Sequence, residues 1–274
     1  MPLTWQSRFT GGLTLRGANP SSGMTLAPDE SADLFTPYGP MRTYIFRPAG
    51  AGRYPGIVLY SEIFQMTGPV RRTAAWLAGH GFVVAVPEVY HEFLPLGTVL
   101  AYDQAGADKG NELKTAKELA SYDADAGAAL DHLKAHPACT GKLGVMGICL
   151  GGHLSFRAAA LNADVRAAAC LYATDIHKKS LGKGLNDDTL ESIKATQAEL
   201  LMIWGRQDPH ISLEGRRLIQ ATLDAENVRY TWHEFNGQHA FIRDEGPRYD
   251  PELASTCLGL ALTLFRRRLG EGDF

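Results

Sequence analysis

Short runs of apolar, β-branched and aromatic residues alternate with stretches of helical periodicity from about residue 41 onward. Buried parallel strands are typically such short apolar runs, and the helices between them show apolar positions three and four residues apart. The pattern therefore predicts a mostly parallel central sheet with helices on both faces. The predicted strands span residues 43–47, 56–60, 82–87, 143–148, 167–172, 199–204 and 229–234.

Five helices are predicted between these strands, and two long connections separate some of them. Both connections, 90–112 and 175–192, are polar and contain glycine. Connections of this kind usually run over the carboxyl edge of the sheet, where open α/β sheets bind ligands. The predicted helices span about 70–78, 115–135, 149–161, 213–225 and 251–269.

The first forty residues differ from the rest of the chain. They are rich in Gly, Ser, Pro and Thr and lack a strong period, which is typical of an extension with at most one hairpin. The 274-residue chain is therefore predicted to have an N-terminal extension, 1–40, followed by a single α/β domain, 41–274.

Charge and cysteine content favour a small soluble ligand over a macromolecular partner. The formal net charge is −3, and acidic and basic residues are interspersed, so no basic face is predicted for nucleic acid or an anionic membrane. No signal-peptide core or apolar run of about 20 residues is present, so a cytoplasmic monomer or weak homo-oligomer is expected. The cysteines, which show no C-x-x-C or zinc-like spacing, are Cys139, Cys149, Cys170 and Cys257.

The candidate nucleophile is Cys149, which lies between a predicted strand and a predicted helix. Gly147 and Gly151 flank it in a G-x-C-x-G pattern, as a tight strand-to-helix turn requires. A thiol at a helix N-terminus meets the positive end of the helix dipole and free N–H groups, which favour the thiolate. The alternative is a small buried apolar cysteine.

Two further residues, each just past a predicted strand, complete a catalytic set. Asp208 follows strand 199–204 and His239 follows strand 229–234. The order nucleophile, acid, base is the order of α/β-hydrolases, so this fold is predicted. An imidazole can take the thiol proton, and a carboxylate orients the ring. The alternative for Asp208 is a turn or helix cap.

The predicted oxyanion hole consists of the backbone N–H groups of Ile63 and Leu150. Ile63 follows strand 56–60, and Leu150 directly follows the nucleophile. Glu62 lies beside this turn, and a carboxylate near a thiol opposes its ionisation. Glu62 is therefore expected to keep the thiol protonated until substrate arrives.

Four segments together resemble the dienelactone hydrolase family, from about residue 43 to the C-terminus. They are Ser-Glu-Ile-Phe at 61–64, Gly-Ile-Cys-Leu-Gly-Gly at 147–152, Gly-Arg-Gln-Asp at 205–208 and Gly-Gln-His-Ala-Phe at 237–241. The resemblance implies a triad of Cys149, Asp208 and His239, with Glu62 pairing with the resting thiol and swinging away on substrate binding. It further implies lactone opening to maleylacetate through an acyl-thioester, without a metal or organic cofactor.

The resemblance extends unevenly to substrate binding. The family's type enzymes hold a substrate carboxylate with two arginines, and Arg243 has the spacing of one of them. The second arginine would fall in 103–113, where only Lys109 carries a positive charge. The substrate can therefore differ from the lactone of the type enzymes. An arginine suits a carboxylate because it can bind it with two parallel hydrogen bonds. The alternative for Arg243 is a surface ion pair with Asp244 or Glu245.

Three aromatic residues, Phe64, Tyr90 and Tyr172, are candidate pocket walls, although aromatics near strand ends are usually core. The function predicted from all these residues is a carboxylic-ester hydrolase acting on a small lactone. Two alternatives remain at this point. One is a broader Cys-dependent esterase or thioesterase for neutral esters, and the other is a non-catalytic ligand-binding or thiol-sensing protein.

Overall fold

A computed structural model describes residues 25–270 of the chain. They form an eight-stranded sheet with the order β1-β2-β4-β3-β5-β6-β7-β8. The pairs β1–β2 and β2–β4 are antiparallel, and all other neighbours are parallel. The strands are β1 Glu30–Thr36, β2 Gly39–Phe46, β3 Tyr54–Tyr60, β4 Val83–Pro87, β5 Cys139–Ile148, β6 Val165–Leu171, β7 Glu199–Gly205 and β8 Tyr230–Phe235.

Helices cover both faces of this sheet. They are α1 Gly68–Gly79, α2 Gln104–Ala116, α3 Leu119–Ala135, α4 Leu150–Leu161, α5 Thr189–Ser192, α6 Leu213–Ala225 and α7 Pro251–Leu269, with short 3₁₀ turns at Ile176–Lys178 and Ile193–Ala195. Strand β5 shows the two faces, because successive side chains point to opposite sides. Leu143 lies beside Gly56 and Leu133 of α3, whereas a Cβ on Gly144 would meet Leu269 of α7 at 3.0 Å. The mostly parallel α/β-hydrolase fold predicted from the sequence is thereby confirmed.

The seven predicted strands are all present, and helices α6 and α7 have the predicted bounds. The predicted helix 115–135 is wrong at its start, since α2 ends at Ala116 and α3 begins at Leu119. Lys117 between them is extended and fully buried, and its ammonium contacts Glu92 and lies 2.9 Å from an Asp125 carboxylate oxygen. This buried ion pair needs Lys117 to point inward, which interrupts the helix.

Helix α2 was also missed, because the sequence predicted a connection over 90–112. Its buried positions are Gly106, Gly110 and Leu113, so the helix has almost no apolar stripe. The glycines permit close approach, since a Cβ on Gly106 would lie 2.0 Å from the Ala101 carbonyl oxygen. The Asp103 side chain caps the helix by accepting from the Gly106 N–H at 2.8 Å.

The predicted boundary at residue 40 lies inside the β1–β2 hairpin. Strand β1 pairs with β2 along its whole length, from Glu30 opposite Ile45 to Thr36 opposite Gly39. This part of the predicted extension therefore belongs to the sheet, while residues 1–24 lie outside the described residues. No helix within residues 25–270 is both long and apolar enough to cross a membrane.

The glycine-lined contact of α2 predicts a position-specific stability effect. A Cβ on Gly110 would lie 2.7 Å from the Ile63 carbonyl oxygen, so Gly110→Ala should destabilise the protein by about 1–3 kcal/mol. Gly127 in α3 has nothing within 4 Å, so Gly127→Ala should be neutral or stabilise by up to about 1 kcal/mol. Thermal unfolding of the two variants measures the difference. Equal stabilities would contradict the close packing of α2 on the Ile63 turn.

Candidate active site

Cys149 lies at a strained turn between β5 and α4. Its φ is 58° and ψ −120°, a conformation that non-glycine residues rarely adopt. A Cβ on Gly147 would lie 1.9 Å from the Gly151 carbonyl oxygen, and one on Gly151 would lie 2.2 Å from the Tyr60 carbonyl oxygen. Both positions therefore require glycine, and the turn holds the half-buried Cys149 at the carboxyl edge of the sheet.

His239 connects Cys149 to Asp208. Its Nδ1 lies 2.7 Å from Asp208 Oδ2, and the Asp208 side chain is fully buried. The second Asp208 oxygen accepts from the His210 N–H at 2.8 Å, which fixes the carboxylate. Cys149 and His239 line the same cavity. Since Nδ1 faces the carboxylate, Nε2 is left for the thiol.

The charges of this cluster favour a protonated imidazole. Burial lowers the pKa of His239, but the Cys149 thiolate and the Asp208 carboxylate outweigh burial and raise it above its usual range. Cys149 and Asp208 thus stabilise the imidazolium form of His239, which is the form that can donate a proton.

The predicted oxyanion donors are the backbone N–H groups of Ile63, in the turn after β3, and Leu150, which directly follows Cys149. Neither N–H group has a backbone hydrogen-bond partner among the described residues. Leu150 is the first residue of α4, so its N–H is one of the unpaired donors of the helix N-terminus. Their role in binding an oxyanion stays a prediction.

Glu62 is buried and held by two other side chains. One of its oxygens lies 3.6 Å from Arg243 Nη1, and the other accepts from the Tyr102 hydroxyl at 3.2 Å. Burial raises the pKa of Glu62, and the neighbouring Arg243 opposes that rise. Among the described residues no hydrogen bond joins Glu62 to Cys149, so the pairing implied by the resemblance stays a prediction.

Arg243 is not in the surface ion pair considered as its alternative. Asp244 and Glu245 are held by Arg72, at 2.6 and 2.8 Å. The Arg243 guanidinium instead lies 4.2 Å from the centre of the Tyr102 ring and is mostly buried. Lys109, the cation found where a second arginine was expected, pairs with Glu112 at 2.8 Å and does not line the cavity.

The three aromatic candidates have different positions. Phe64 lines the cavity, but Tyr90 and Tyr172 are fully buried and do not line it, so their prediction as pocket walls is corrected. The Tyr90 hydroxyl donates to the Gly110 carbonyl at 2.9 Å, which ties it to α2. The Tyr172 ring packs edge-on against His239 at 5.1 Å and so supports the imidazole from below.

A cavity of about 270 Å³ lies above Cys149, between the two long connections and the loop after β8. Cys149, His239, Glu62, Ile63 and Arg243 line it together. Sequence reasoning missed several other lining residues because no motif marks them; only their place in loops beyond strand ends could have signalled them. These are Tyr102, Asp103, Lys114, Thr174, Asp175, Lys178, His210 and Arg248.

Two clusters within residues 25–270 bring together groups that could bind a metal ion. One comprises Asp208, His210 and His239, in which Asp208 and His239 already bond to each other. The other comprises His91, Glu92 and Asp125, where the Lys117 ammonium already supplies the positive charge. Neither cluster therefore needs a metal ion to balance its charges.

The mostly parallel eight-stranded sheet with helices on both faces is the fold of α/β-hydrolases, and Cys149, Asp208 and His239 lie at its carboxyl edge. The dienelactone hydrolase family model matches residues 41–269, and the chain belongs to that family. It is a hydrolase of the class that acts on esters and lactones.

Individual relatives agree with this assignment. A provisionally named carboxymethylenebutenolidase of Saccharomyces cerevisiae is 43% identical over 249 residues, covering 86% of this chain and 90% of the relative. A carboxymethylenebutenolidase of a Pseudomonas species is 26% identical over 226 residues, covering 79% and 86%. The fold is similar to that of a provisionally named dienelactone hydrolase from Klebsiella pneumoniae, with a TM-score of 0.75, 22% identity and coverage of 89% and 99%.

The raised pKa of His239 predicts how fast the Cys149 thiol reacts with iodoacetamide. At pH 6.5 an ordinary thiol is about 1% ionised, so a thiolate held by an imidazolium should react at least about tenfold faster than the same thiol in His239→Gln. Peptide mapping gives the rate at each cysteine. Cys139, Cys170 and Cys257 serve as internal controls, because all three are buried and burial raises their pKa values. Equal rates at Cys149 in both proteins would contradict the ion pair.

Proposed function

We propose that Cys149, His239 and Asp208 form a catalytic triad that hydrolyses a small carboxylated lactone or ester through an acyl-thioester. The observation that carries this proposal is the position of His239, which is hydrogen-bonded to buried Asp208 and lines the same cavity as Cys149. A thiolate, an oriented imidazole and a carboxylate are what acyl transfer to sulfur requires.

In the first half-reaction, the Cys149 sulfur attacks the carbonyl carbon and forms a C–S bond. The carbonyl oxygen becomes negatively charged and accepts from the N–H groups of Ile63 and Leu150. The tetrahedral intermediate collapses with cleavage of the C–O bond, and the His239 imidazolium protonates the leaving oxygen. In a lactone this oxygen stays attached to the acyl group, so the ring opens.

In the second half-reaction, water attacks the thioester carbon while neutral His239 takes a proton from it. The C–S bond breaks, the carboxylic product leaves, and the thiolate–imidazolium pair is restored. Asp208 keeps the imidazole oriented throughout and stabilises its cation. These steps use only residues of the chain.

Arg243 is the proposed anchor for a substrate carboxylate. Its guanidinium faces the cavity but already lies 3.6 Å from Glu62, so an entering carboxylate has to share or displace that contact. Displacement would free Glu62 to move, which agrees with the switching role implied by the resemblance. Together with the relatives' names, this favours a lactone of the dienelactone type, opened to maleylacetate or an analogue.

A broader esterase or thioesterase for neutral esters is the second candidate, and the position of Lys109 favours it. Because Lys109 lies outside the cavity lining, the expected second anchor for the same carboxylate is missing from 103–113. A non-catalytic thiol sensor is less well supported, since sensing requires neither Asp208 nor a pair of backbone N–H groups for an oxyanion.

A reducing cytoplasm is the proposed location, because all four cysteines are free thiols. A monomeric or weakly oligomeric state stays a prediction.

The nucleophile is tested by hydrolysis of cis- and trans-dienelactone and of 4-nitrophenyl acetate. Cys149→Ala and His239→Gln should each lower kcat on every hydrolysed substrate by a factor on the order of 10⁴ or more. Cys139→Ala is the matched control, because Cys139 is a buried thiol at the opposite end of β5. Retained turnover in Cys149→Ala would overturn the proposed mechanism.

The anchor is tested by Arg243→Gln. Loss of a charge-assisted contact to the substrate should lower kcat/KM for the anionic lactone by about 10–100-fold. The loss for 4-nitrophenyl acetate should be several-fold smaller, because that ester carries no carboxylate. Equal losses on both substrates would favour the neutral-ester alternative, with Arg243 acting on the site through Glu62.

A further inference from the structure

The charges that line the cavity are unevenly paired. Three acidic side chains line it, and each is already engaged: Glu62 by Arg243 at 3.6 Å, Asp175 by Lys114 at 2.8 Å, and Asp103 by the first turn of α2. Two further cations line the same cavity, Lys178 and Arg248. The cavity therefore has more positive charge than its own acids balance.

The side chains of Lys178 and Arg248 have no hydrogen bond or ion pair with any residue among 25–270. This sets them apart from Arg42, Arg72, Arg157 and Arg267, each of which forms an ion pair with a carboxylate. An unpaired cation that lines a concave site raises the local concentration of anionic ligands. A ligand anion is the partner that these two side chains lack.

Both cations belong to the His210 side of the cavity. Burial lowers the pKa of His210, the neighbouring His239 lowers it too, and Arg248 and Lys178 lower it further, against the opposing effect of Asp208. The His210 ring in turn packs against the His239 ring, with centroids 4.6 Å apart. His210 follows β7, which lies between β6 and β8, and Lys178 lies in the turn after β6 while Arg248 lies in the loop after β8. All three line the cavity.

The sheet order separates this region from the Arg243 anchor. Glu62 follows β3, Cys149 follows β5, and Asp208 and His210 follow β7, and these strands lie in the order β3-β5-β6-β7. Neighbouring strands are about 4.8 Å apart, so the ends of β3 and β7 are separated by roughly 14 Å. Cys149 lies between them, with the Glu62–Arg243 contact on one side and His210 on the other.

The loop after His239 supplies an arginine to each region. Arg243 and Arg248 both lie in the segment between β8 and α7, and this segment folds back so that the Asp250 N–H donates to the Phe241 carbonyl at 2.9 Å. Gly246 between the two arginines has a φ of 107°, which reverses the chain locally.

We infer that Arg248 and Lys178 form a second anion-binding subsite on the leaving-group side of Cys149. The inference rests on the proposed function and specifies its substrate class: an ester or lactone with two carboxylates, one of which is on the alcohol part of the scissile C–O bond. Arg243 binds one carboxylate, and Arg248 with Lys178 binds the carboxylate of the alcohol part. In a lactone both carboxylates remain on the single ring-opened product.

Two esters that differ only by a carboxylate on the leaving group test this subsite. They are 4-nitrophenyl acetate and 5-acetoxy-2-nitrobenzoate, whose released nitrophenols are both followed by absorbance. The measured quantity is the ratio of kcat/KM for the anionic ester to kcat/KM for the neutral ester. Comparing this ratio between variants cancels the intrinsic difference in reactivity between the two esters.

The ratio should fall about tenfold in the double variant Arg248→Gln/Lys178→Gln, as expected for loss of charge-assisted contacts. It should also fall on raising the salt concentration for the wild type, and the double variant should lose that salt dependence. Arg217→Gln is the control, because Arg217 is an exposed arginine of α6 outside the cavity lining, and its replacement removes one positive charge away from the proposed subsite. An unchanged ratio in the double variant, or an equal fall in Arg217→Gln, would overturn the subsite.

Binding to the Cys149→Ala protein separates failure of the subsite from failure of the proposed function. Calorimetric titration of intact 5-acetoxy-2-nitrobenzoate should show weaker binding, by about tenfold, when Arg248→Gln/Lys178→Gln is added. This measurement needs no turnover, so it decides the subsite even if the wild type hydrolyses neither ester. Equal affinities in Cys149→Ala with and without Arg248→Gln/Lys178→Gln would overturn the subsite. Inactivity of the wild type on both esters and on dienelactones would instead count against the proposed function alone.

Discussion

The backbone conformation of Cys149 is the constraint on which the rest of the site depends. A non-glycine residue with φ 58° and ψ −120° costs on the order of 1–3 kcal/mol, so the surrounding contacts have to enforce it. They do so through Gly147 and Gly151, whose missing side chains let the elbow backbone press against Tyr60 and the start of α4. The hydrogen bond from the Cys149 N–H to the Leu171 carbonyl, at 3.1 Å, fixes the elbow on β6. The thiol is thereby aimed at the cavity rather than into the sheet.

Buried charge around this elbow is arranged in pairs. His239 is paired with Asp208, Glu62 lies between Arg243 and Tyr102, and Lys117 lies between Glu92 and Asp125. Removing one partner of such a pair leaves an uncompensated buried charge, which costs several kcal/mol. Both partners of the Glu62–Arg243 pair line the cavity, and one of them is a cation. A ligand anion can therefore replace Glu62 on Arg243 without leaving a positive charge unpaired, and this makes it the pair that a substrate can rearrange.

The sequence predicted those parts of the structure that depend on short residue patterns recurring along the chain. Apolar runs marked seven strands, and residues just beyond strand ends marked Cys149, Asp208 and His239, because parallel strands bring their carboxyl ends to one edge. Helix α2 was missed since Gly106 and Gly110 replace its apolar stripe, and the break at Lys117 depends on a buried ion pair distant in sequence. Lys178 and Arg248 were missed for a related reason. Their place in the cavity depends on how two irregular loops fold, and no short motif encodes that.

The same division explains how one scaffold can keep its chemistry and change its substrate. Strand ends position the proposed triad, so a loop that changes length or conformation leaves the geometry of Cys149 and His239 intact. The loop after β8 contributes both to the triad and to the cavity lining, since it contains His239 and continues through Arg243 and Arg248. Its first residues are tied to the sheet by packing of Tyr172 on His239 and Phe241, and its later residues are held by the Asp250 to Phe241 hydrogen bond. Substitutions after Phe241 can therefore move a cation along the cavity wall while His239 stays in place, and an arginine absent from 103–113 can be replaced by one from this loop.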